Sequence, residues 1–256
     1  MPPNCRAAIC VRRQGAHTGH PYNVYPMAWD SLTEASLRRA AKGLARRDKD
    51  LATILKTFGP PPMWARPPGF ATLVKIILEQ QVSLASAASL FTRLQKNTRP
   101  FQPARVLELG AAHLKSQGLT RQKTAYCLHL AESLHDKRLQ LRQLSRLNDA
   151  DAKAALMEVK GIGSWSADIY LLMVLRRPDI FPASDLALIT AVTELKHLGL
   201  RPNAVQLSEL ADAWRPYRSV AARMLWQYYL ASRGRNGAAQ ARWKRAEMVA
   251  RGETSG

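Results

Sequence analysis

The 256-residue chain has only three cysteines, Cys5, Cys10 and Cys127. Three scattered thiols are too few for a disulfide framework, a zinc site or an iron–sulfur cluster held by four cysteines. No apolar run reaches the length of a membrane span, and the longest candidate, residues 169–175, ends at two arginines. The first residues lack the apolar region of a secretory signal. We therefore expect a soluble, intracellular protein in a reducing compartment.

Acidic residues are also scarce, because 19 Asp and Glu stand against 38 Lys and Arg and give a formal net charge of +19. An excess of this size is typical of proteins that bind a polyanion, most commonly nucleic acid. A solvated basic surface and a membrane-surface protein are the alternatives. The basic residues are spread along the whole chain and form no basic amphipathic anchor, so the charge favours nucleic acid, and no membrane association is predicted.

Alternating strand patterns are absent and helical periodicity recurs from Ser31 onward, which predicts an all-α fold. Ser31 and Glu34 have capping-box spacing before the first helix. Residues 1–30 lack periodicity and are expected to form a poorly ordered basic tail. Further helices are predicted over Phe70–Leu94 with a break near Gln81–Ser83, Pro103–Leu109, Ala111–Gln117, Arg121–Asp136, Ala150–Val159, Ser164–Leu175, Leu186–Leu198, Asn203–Trp214 and Ser219–Ser232.

The most informative segment is a predicted helix that breaks at Gly161, Ile162 and Gly163 and restarts at Ser164. Such a hairpin offers backbone N–H groups and a positive helix N-terminus, which together suit a phosphate. Glycine is expected there because the turn needs φ > 0 and because a Cβ would keep the phosphate away. A tight turn between two helices with no ligand is the alternative.

A single acid, Asp185, follows Ser184 directly before a predicted helix. Ser and Asp are favoured at helix N-caps, so a purely structural role is one interpretation. The other is catalytic, because a helix N-terminus favours a charged carboxylate and a negative charge stabilises a positive charge that develops during a reaction. The two interpretations are compatible.

Four ordered motifs, residues 77–83, 156–167, 176–188 and 216–226, resemble the helix–hairpin–helix superfamily of DNA glycosylases. Within it the chain is similar to the bacterial inducible 3-methyladenine DNA glycosylase group. The resemblance implies two helical subdomains that flank a DNA-binding cleft. Residues 70–184 would form the subdomain that contains the hairpin, and residues 31–69 and 185–250 would pair to form the other.

The resemblance also implies roles for three side chains around a flipped base. Asp185 would be the catalytic acid, which stabilises an oxocarbenium-like sugar and guides or deprotonates water during hydrolysis of the N-glycosidic bond. Trp165 stands where bifunctional relatives place a nucleophilic lysine, and an indole cannot form a Schiff base. Trp165 and Trp226 match pocket aromatics, which stack on the base and attract the charge of an N-alkylated purine. Without the resemblance, either Trp could be helix–helix core.

Three further residues, Gln80, Gln81 and Leu84, match the segment that enters the duplex. Gln81 aligns with the wedge that fills the gap left by the flipped nucleotide, although a known relative has an apolar residue there. A pair of glutamines is otherwise compatible with a routine exposed helix end. The segment Gly118–Lys123 also recurs in the family as a helix start, and its basic residues either reach DNA or are solvated.

By the same resemblance, the hairpin N–H groups bind a phosphate beside the lesion. The family often holds Na⁺ or K⁺ on hairpin carbonyls, which here would be those of Met157, Val159 and Ile162. No cofactor is required, and the cluster-bearing branch is excluded because it needs four closely spaced cysteines near the C-terminus.

The sequence thus predicts a monofunctional DNA glycosylase, a monomer that removes alkylated bases, 3-methyladenine foremost, from double-stranded DNA in base excision repair. One alternative is a non-catalytic helix–hairpin–helix DNA-binding protein, which would need no acid in its cleft. The other is a glycosylase for oxidised, deaminated or mismatched bases, and Trp165 disfavours the lyase-competent versions of that class.

Overall fold

The computed structural model describes residues 31–233, and all regular structure in this range is helical. The predicted all-α fold is confirmed, whereas the predicted tail over residues 1–30 lies outside the described residues. None of the helices between residues 31 and 233 has the length and hydropathy needed to cross a membrane. The helices are α1 (Glu34–Ala45), α2 (Lys49–Phe58), α3 (Phe70–Glu79), α4 (Leu84–Asn97), α5 (Pro103–Ser116), α6 (Arg121–His135), α7 (Leu141–Leu144), α8 (Asp149–Met157), α9 (Ser164–Met173), α10 (Leu186–Leu195), α11 (Ala204–Ala211) and α12 (Arg218–Ser232), with a 3₁₀ turn over Asp212–Trp214.

The first helix begins later than the spacing of Ser31 and Glu34 predicts. Thr33 is its N-cap: the Thr33 hydroxyl oxygen accepts the N–H of Ser36, and the Ser36 hydroxyl oxygen accepts the N–H of Thr33. Ser31 instead donates its hydroxyl to the carbonyl of Leu175 at 2.8 Å. The predicted register was wrong because Thr33 and Ser36 repeat the same pattern of polar side chains and satisfy the first turn instead.

Two short helices, α2 and α7, have no counterpart among the predicted elements. α2 is capped by Asp48, whose carboxylate accepts the N–H groups of Asp50 and Leu51, and only Leu51 and Ile54 of this helix are buried. Two buried residues give a weak periodic signal. By contrast, the break predicted between residues 109 and 111 is present, because Gly110 has a φ of 67° and kinks α5.

The helices pack into two groups, with a cleft between them. In one group α12 packs against α1, α2 and α10, so the group joins segments from both ends of the described chain. In the other, α3 packs against α4, α6 and α9, while α5 packs on α6 and α8 on α9. One apolar core runs through both groups. The side chains predicted to be functional line the cleft between the two groups.

Candidate active site

A cleft with a volume of about 2830 Å³ lies between the two helix groups. One wall is formed by the end of α3, the start of α4 and the hairpin between α8 and α9. The other is formed by the start of α10 and the last turns of α12. The residues predicted from sequence that line the cleft are Gln80, Gln81, Leu84, Met157, Val159, Gly161, Ile162, Gly163, Ser164, Trp165, Asp185 and Trp226.

The Asp185 carboxylate accepts hydrogen bonds from four groups. Its Oδ1 accepts the backbone N–H groups of Ala187 (3.0 Å) and Leu188 (3.1 Å), so Asp185 is the N-cap of α10. The same oxygen accepts the indole N–H of Trp226 at 3.1 Å, and Oδ2 accepts that of Trp165 at 2.8 Å. The structural and the catalytic interpretation of this acid therefore fit one geometry, because the cap bonds fix the carboxylate and the indoles orient it toward the cleft.

The two predicted aromatics reach Asp185 from different helices. Trp165 lies in the first turn of α9, directly after the hairpin, and is partly exposed. Trp226 lies in α12 and is only 8% exposed. Each indole N–H donates to the carboxylate, which fixes the orientation of both rings. Four aromatics that the sequence did not single out also line the cleft, namely Trp64, Phe91, Tyr126 and Tyr229. Of these, Trp64 contacts Trp226 edge to face.

The two hairpin glycines have different backbone conformations and different surroundings. Gly161 has a φ of +94°, and a Cβ built there would lie 2.2 Å from Cγ of Tyr126, so both the turn and the packing require glycine. Gly163 has a φ of −88°, and a Cβ there would meet no atom within 4 Å. The expectation that the turn needs φ > 0 thus holds for Gly161 and is wrong for Gly163, whose open side faces the cleft.

The N-terminus of α9 presents backbone N–H groups to the cleft, and those of Ser164, Trp165 and Ser166 have no backbone acceptor within residues 31–233. Gly163 is the N-cap and gives no side-chain cap, and the first amide with a helical acceptor is that of Ala167, which donates to the Gly163 carbonyl. Nearby, Lys153 Nζ lies 2.7 Å from Oδ1 of Asp168. Burial raises the pKa of Asp168 above its ordinary value, against the opposing effect of Lys153. This ion pair joins α8 to α9, the two helices that the hairpin connects.

The segment predicted to enter DNA is mostly exposed. Gln81 has a φ of +55° and is exposed, and Leu84, at the start of α4, is 61% exposed. Gln80 differs, because its amide nitrogen donates to the Gly161 carbonyl (2.8 Å) and to Oγ of Ser166 (2.9 Å). In this arrangement Gln80 joins the end of α3 to the hairpin, and its contact with the lesion stays a prediction.

Lys123, one of the basic residues whose role the sequence left open, is not directed at solvent. Its Nζ donates to the carbonyls of Leu78 (2.7 Å) and Gln80 (3.0 Å) at the C-terminal end of α3. Burial lowers the pKa of Lys123, although the group still binds as a donor. The lysine therefore caps α3 directly before the exposed segment that starts at Gln81.

The three carbonyls predicted to hold a cation lie at the end of α8 and in the hairpin. The Val159 carbonyl accepts the N–H of Ile162 at 2.9 Å, and within residues 31–233 no backbone N–H donates to the Met157 or Ile162 carbonyl. Free carbonyl oxygens are the ligand type that Na⁺ and K⁺ need. The described part of the chain contains no cluster of His, Cys, Asp and Glu suited to a transition metal.

The chain is similar in sequence to known DNA glycosylases. The chain is 24% identical over 201 residues to the alkylbase DNA glycosidase-like protein mag2 of Schizosaccharomyces pombe, covering 76% of this chain and 94% of that protein. It is 28% identical over 170 residues to a DNA-3-methyladenine glycosylase of Bacillus subtilis, which is 62% of this chain but only 56% of the relative.

Among solved structures, the fold is similar to that of the S. pombe 3-methyladenine DNA glycosylase Mag1 in complex with abasic DNA. The TM-score is 0.69 at 21% identity, over 74% of this chain and 95% of that one. Residues 74–216, more than half of the chain, match the family described as HhH-GPD superfamily base excision DNA repair protein. The chain therefore belongs to the HhH-GPD superfamily of base excision DNA repair proteins.

Proposed function

We propose that this protein is a monofunctional DNA glycosylase that hydrolyses the N-glycosidic bond of alkylated bases in double-stranded DNA, with 3-methyladenine as the leading substrate. The observation that carries the proposal is the Asp185 carboxylate, held on the cleft wall by the indole N–H groups of Trp165 and Trp226. The names of the relatives from S. pombe and B. subtilis support the same reaction class. We expect the protein to act as a monomer.

The proposed reaction needs a negative charge beside the sugar. As the bond between C1′ and the base nitrogen breaks, its electron pair goes to the base, and positive charge develops on the sugar. Asp185 stabilises that charge and directs a water molecule to C1′. The water oxygen bonds to C1′, and the carboxylate accepts the proton that the water loses. An N-alkylated purine is already cationic and leaves as a neutral molecule. A single acid is therefore sufficient without a metal.

The ring faces of Trp165 and Trp226 select the base. Both indole N–H groups are directed at Asp185, so the rings are held in fixed orientations. We expect the ring surfaces that line the cleft to contact a base that has left the stack. A cationic purine gains both stacking and cation–π attraction from such faces. The neutral bases of undamaged DNA gain only the stacking.

The hairpin and the segment beyond α3 hold the duplex in this proposal. The free N–H groups at the start of α9, including that of Ser164, bind a phosphate, and the open side of Gly163 lets the phosphate approach. Gln81 and Leu84 enter the duplex beside the flipped nucleotide. Met157, Val159 and Ile162 would hold a Na⁺ or K⁺ ion on their carbonyls, and the ion would add positive charge beside that phosphate.

Duplexes that each carry one defined lesion test the function, with alkali used to cleave the abasic products. We expect release of alkylated purines by the wild type and a loss of at least about a hundredfold in rate for Asp185→Asn. Asparagine is also a good N-cap, so the variant should fold, and its affinity for DNA should be kept.

Three results would contradict the proposal. Near-normal excision by folded Asp185→Asn would reduce the acid to a helix cap. Release only from oxidised, deaminated or mismatched duplexes would assign the site to another substrate class. DNA binding without release from any duplex would make the protein a non-catalytic binder.

A further inference from the structure

Trp64 is an aromatic residue of the cleft wall with an uncommon backbone conformation. It lies in the connector between α2 and α3, is partly buried and lines the cleft together with Trp165, Asp185 and Trp226. Its φ is +47°, in the left-handed region that bulky residues rarely adopt. Strained residues of this kind persist only where the surrounding structure holds them, and they concentrate at functional sites.

Contacts on both sides of Trp64 hold it in place. Before it, the Met63 carbonyl accepts Nε–H of Arg223 at 2.8 Å, and this fully buried guanidinium also donates to the Leu172 carbonyl at 2.8 Å. After it, the N–H of Arg66 donates to the Met173 carbonyl at 2.9 Å. The backbone is therefore tied to α9 and α12, the two helices that carry Trp165 and Trp226.

The side chain of Arg66 adds a further anchor. Its two terminal nitrogens bind the two carboxylate oxygens of Glu79 at 2.7 and 3.1 Å, and both side chains are at most 9% exposed. Planar two-point pairs of this kind fix geometry better than a single contact. The connector, although rich in proline and without helix, is thus rigid on the side of the cleft.

Trp64 closes the space beside Trp226. The two ring centroids are 6.2 Å apart with an angle of 67° between the planes, an edge-to-face contact that leaves no room for a base between them. Trp226 in turn donates to Asp185. The ring of Trp64 therefore limits the space available next to the indole that faces the base.

We propose that Trp64 is a specificity-determining wall of the base pocket, which restricts the site to purines with small alkyl groups. This inference rests on the proposed function, because it concerns the size of the base that the same pocket accepts. Removal of the ring leaves a cavity beside Trp226 into which a longer alkyl group fits. A variant without the Trp64 ring therefore releases bases with larger alkyl groups faster, relative to bases with small ones, than the wild type does.

The test compares two DNA substrates, one treated with a radiolabelled methylating agent and one with the corresponding ethylating agent. The released 3-methyladenine and 3-ethyladenine are quantified for the wild type, Trp64→Ala and Trp64→Phe. We expect Trp64→Ala to raise the ratio of ethyl to methyl release about tenfold, the usual effect of one methylene on pocket selectivity. Trp64→Phe keeps a ring and should keep a ratio close to that of the wild type.

Phe58→Ala is the matched control, because Phe58 is a partly exposed aromatic at the end of α2 that does not line the cleft. Trp64→Gly, in which glycine tolerates the positive φ, covers the case that the alanine variant folds poorly, and the same rise in the ratio is expected of it. An unchanged ratio in folded Trp64→Ala or Trp64→Gly, whatever the total rate, would overturn the inference. Absence of any alkylated base release by the wild type would instead overturn the proposed function, and this inference with it.

Discussion

Trp165, in the first turn of α9, donates its indole N–H to Oδ2 of Asp185 at 2.8 Å. By the resemblance to the glycosylases, Trp165 matches the position of the nucleophilic lysine in bifunctional relatives, and here its indole binds the acid. A hydrogen bond to a carboxylate is stronger than a neutral one, so the contact also fixes the ring. Trp165 therefore combines two functions in our proposal, a face for the base and a donor for the acid.

Removal of this donor should slow base release. Trp165→Phe keeps an aromatic ring but loses the N–H, and hydrogen bonds to charged groups contribute about 1.5–3 kcal/mol. We expect the single-turnover rate on an alkylated duplex to fall about 10- to 100-fold on this basis. Trp214→Phe is the control, because Trp214 donates to Asp48 and does not line the cleft. A wild-type rate for Trp165→Phe would show that the contact with Asp185 does not support the chemistry.

Base release should not be accompanied by strand cleavage. Borohydride traps the Schiff base that a lyase forms with the sugar, and no amine stands at residue 165. We therefore expect no covalent protein–DNA adduct under conditions in which alkylated bases are released. An efficiently trapped adduct would make the monofunctional assignment wrong. The four lysines that line the cleft, Lys75, Lys96, Lys123 and Lys160, would then be the first amines to replace.

The two hairpin glycines offer a matched pair of substitutions. Gly161→Ala brings a Cβ to 2.2 Å from the Tyr126 ring at a φ of +94°, so we expect a loss of about 3 kcal/mol or more in the free energy of unfolding. Gly163→Ala meets no atom within 4 Å and should keep the stability but weaken DNA binding. Chemical unfolding and a DNA titration measure the two effects. Equal DNA affinity of Gly163→Ala and the wild type would argue against a phosphate at this position.

A pH-dependent contribution to stability is expected from Asp48. Burial alone would raise its pKa, but hydrogen bonds from Trp214 and Lys196 bring the pKa below the ordinary value of 3.8. Because the folded pKa is the lower one, the stabilisation is fully present above pH 3.8 and is lost as the pH falls through the folded pKa. Asp48→Asn should lower the free energy of unfolding by about 1–3 kcal/mol at pH 7.

Urea unfolding at a series of pH values checks this prediction, and the difference between the wild type and Asp48→Asn should narrow below pH 3.8. Asp136→Asn is the control, because Asp136 is exposed and pairs only at 3.4 Å with exposed Arg138; pairs of this kind contribute little. A difference for Asp48→Asn that stays constant from neutral to acidic pH would contradict the role of its charge.

Local sequence signals predicted most of the helices, though not α2 and α7, and the position of the hairpin. The glycines at 161 and 163 and the Ser-Asp pair before α10 were informative because they act through their immediate neighbours. Trp64 was missed for the opposite reason. The prolines around Trp64 indicate only an extended connector. The contact between Trp64 and Trp226, by contrast, joins distant parts of the chain. Gln80 shows the same limit, since its partners Gly161 and Ser166 become visible only once α3 and α9 are packed together.

The hydrogen bonds of Gln80 have a mechanical consequence. They tie the exposed segment at Gln81 to the hairpin, and Lys123 fastens the same end of α3 from below. If both parts contact DNA, their spacing is set before the duplex arrives, so the duplex rather than the protein has to adjust its shape on binding. Damaged sites, where stacking and pairing are weakened, deform at a lower cost than intact ones. The fixed spacing between the hairpin and the segment at Gln81 would therefore favour binding at easily deformed sites, even before the altered base enters the pocket.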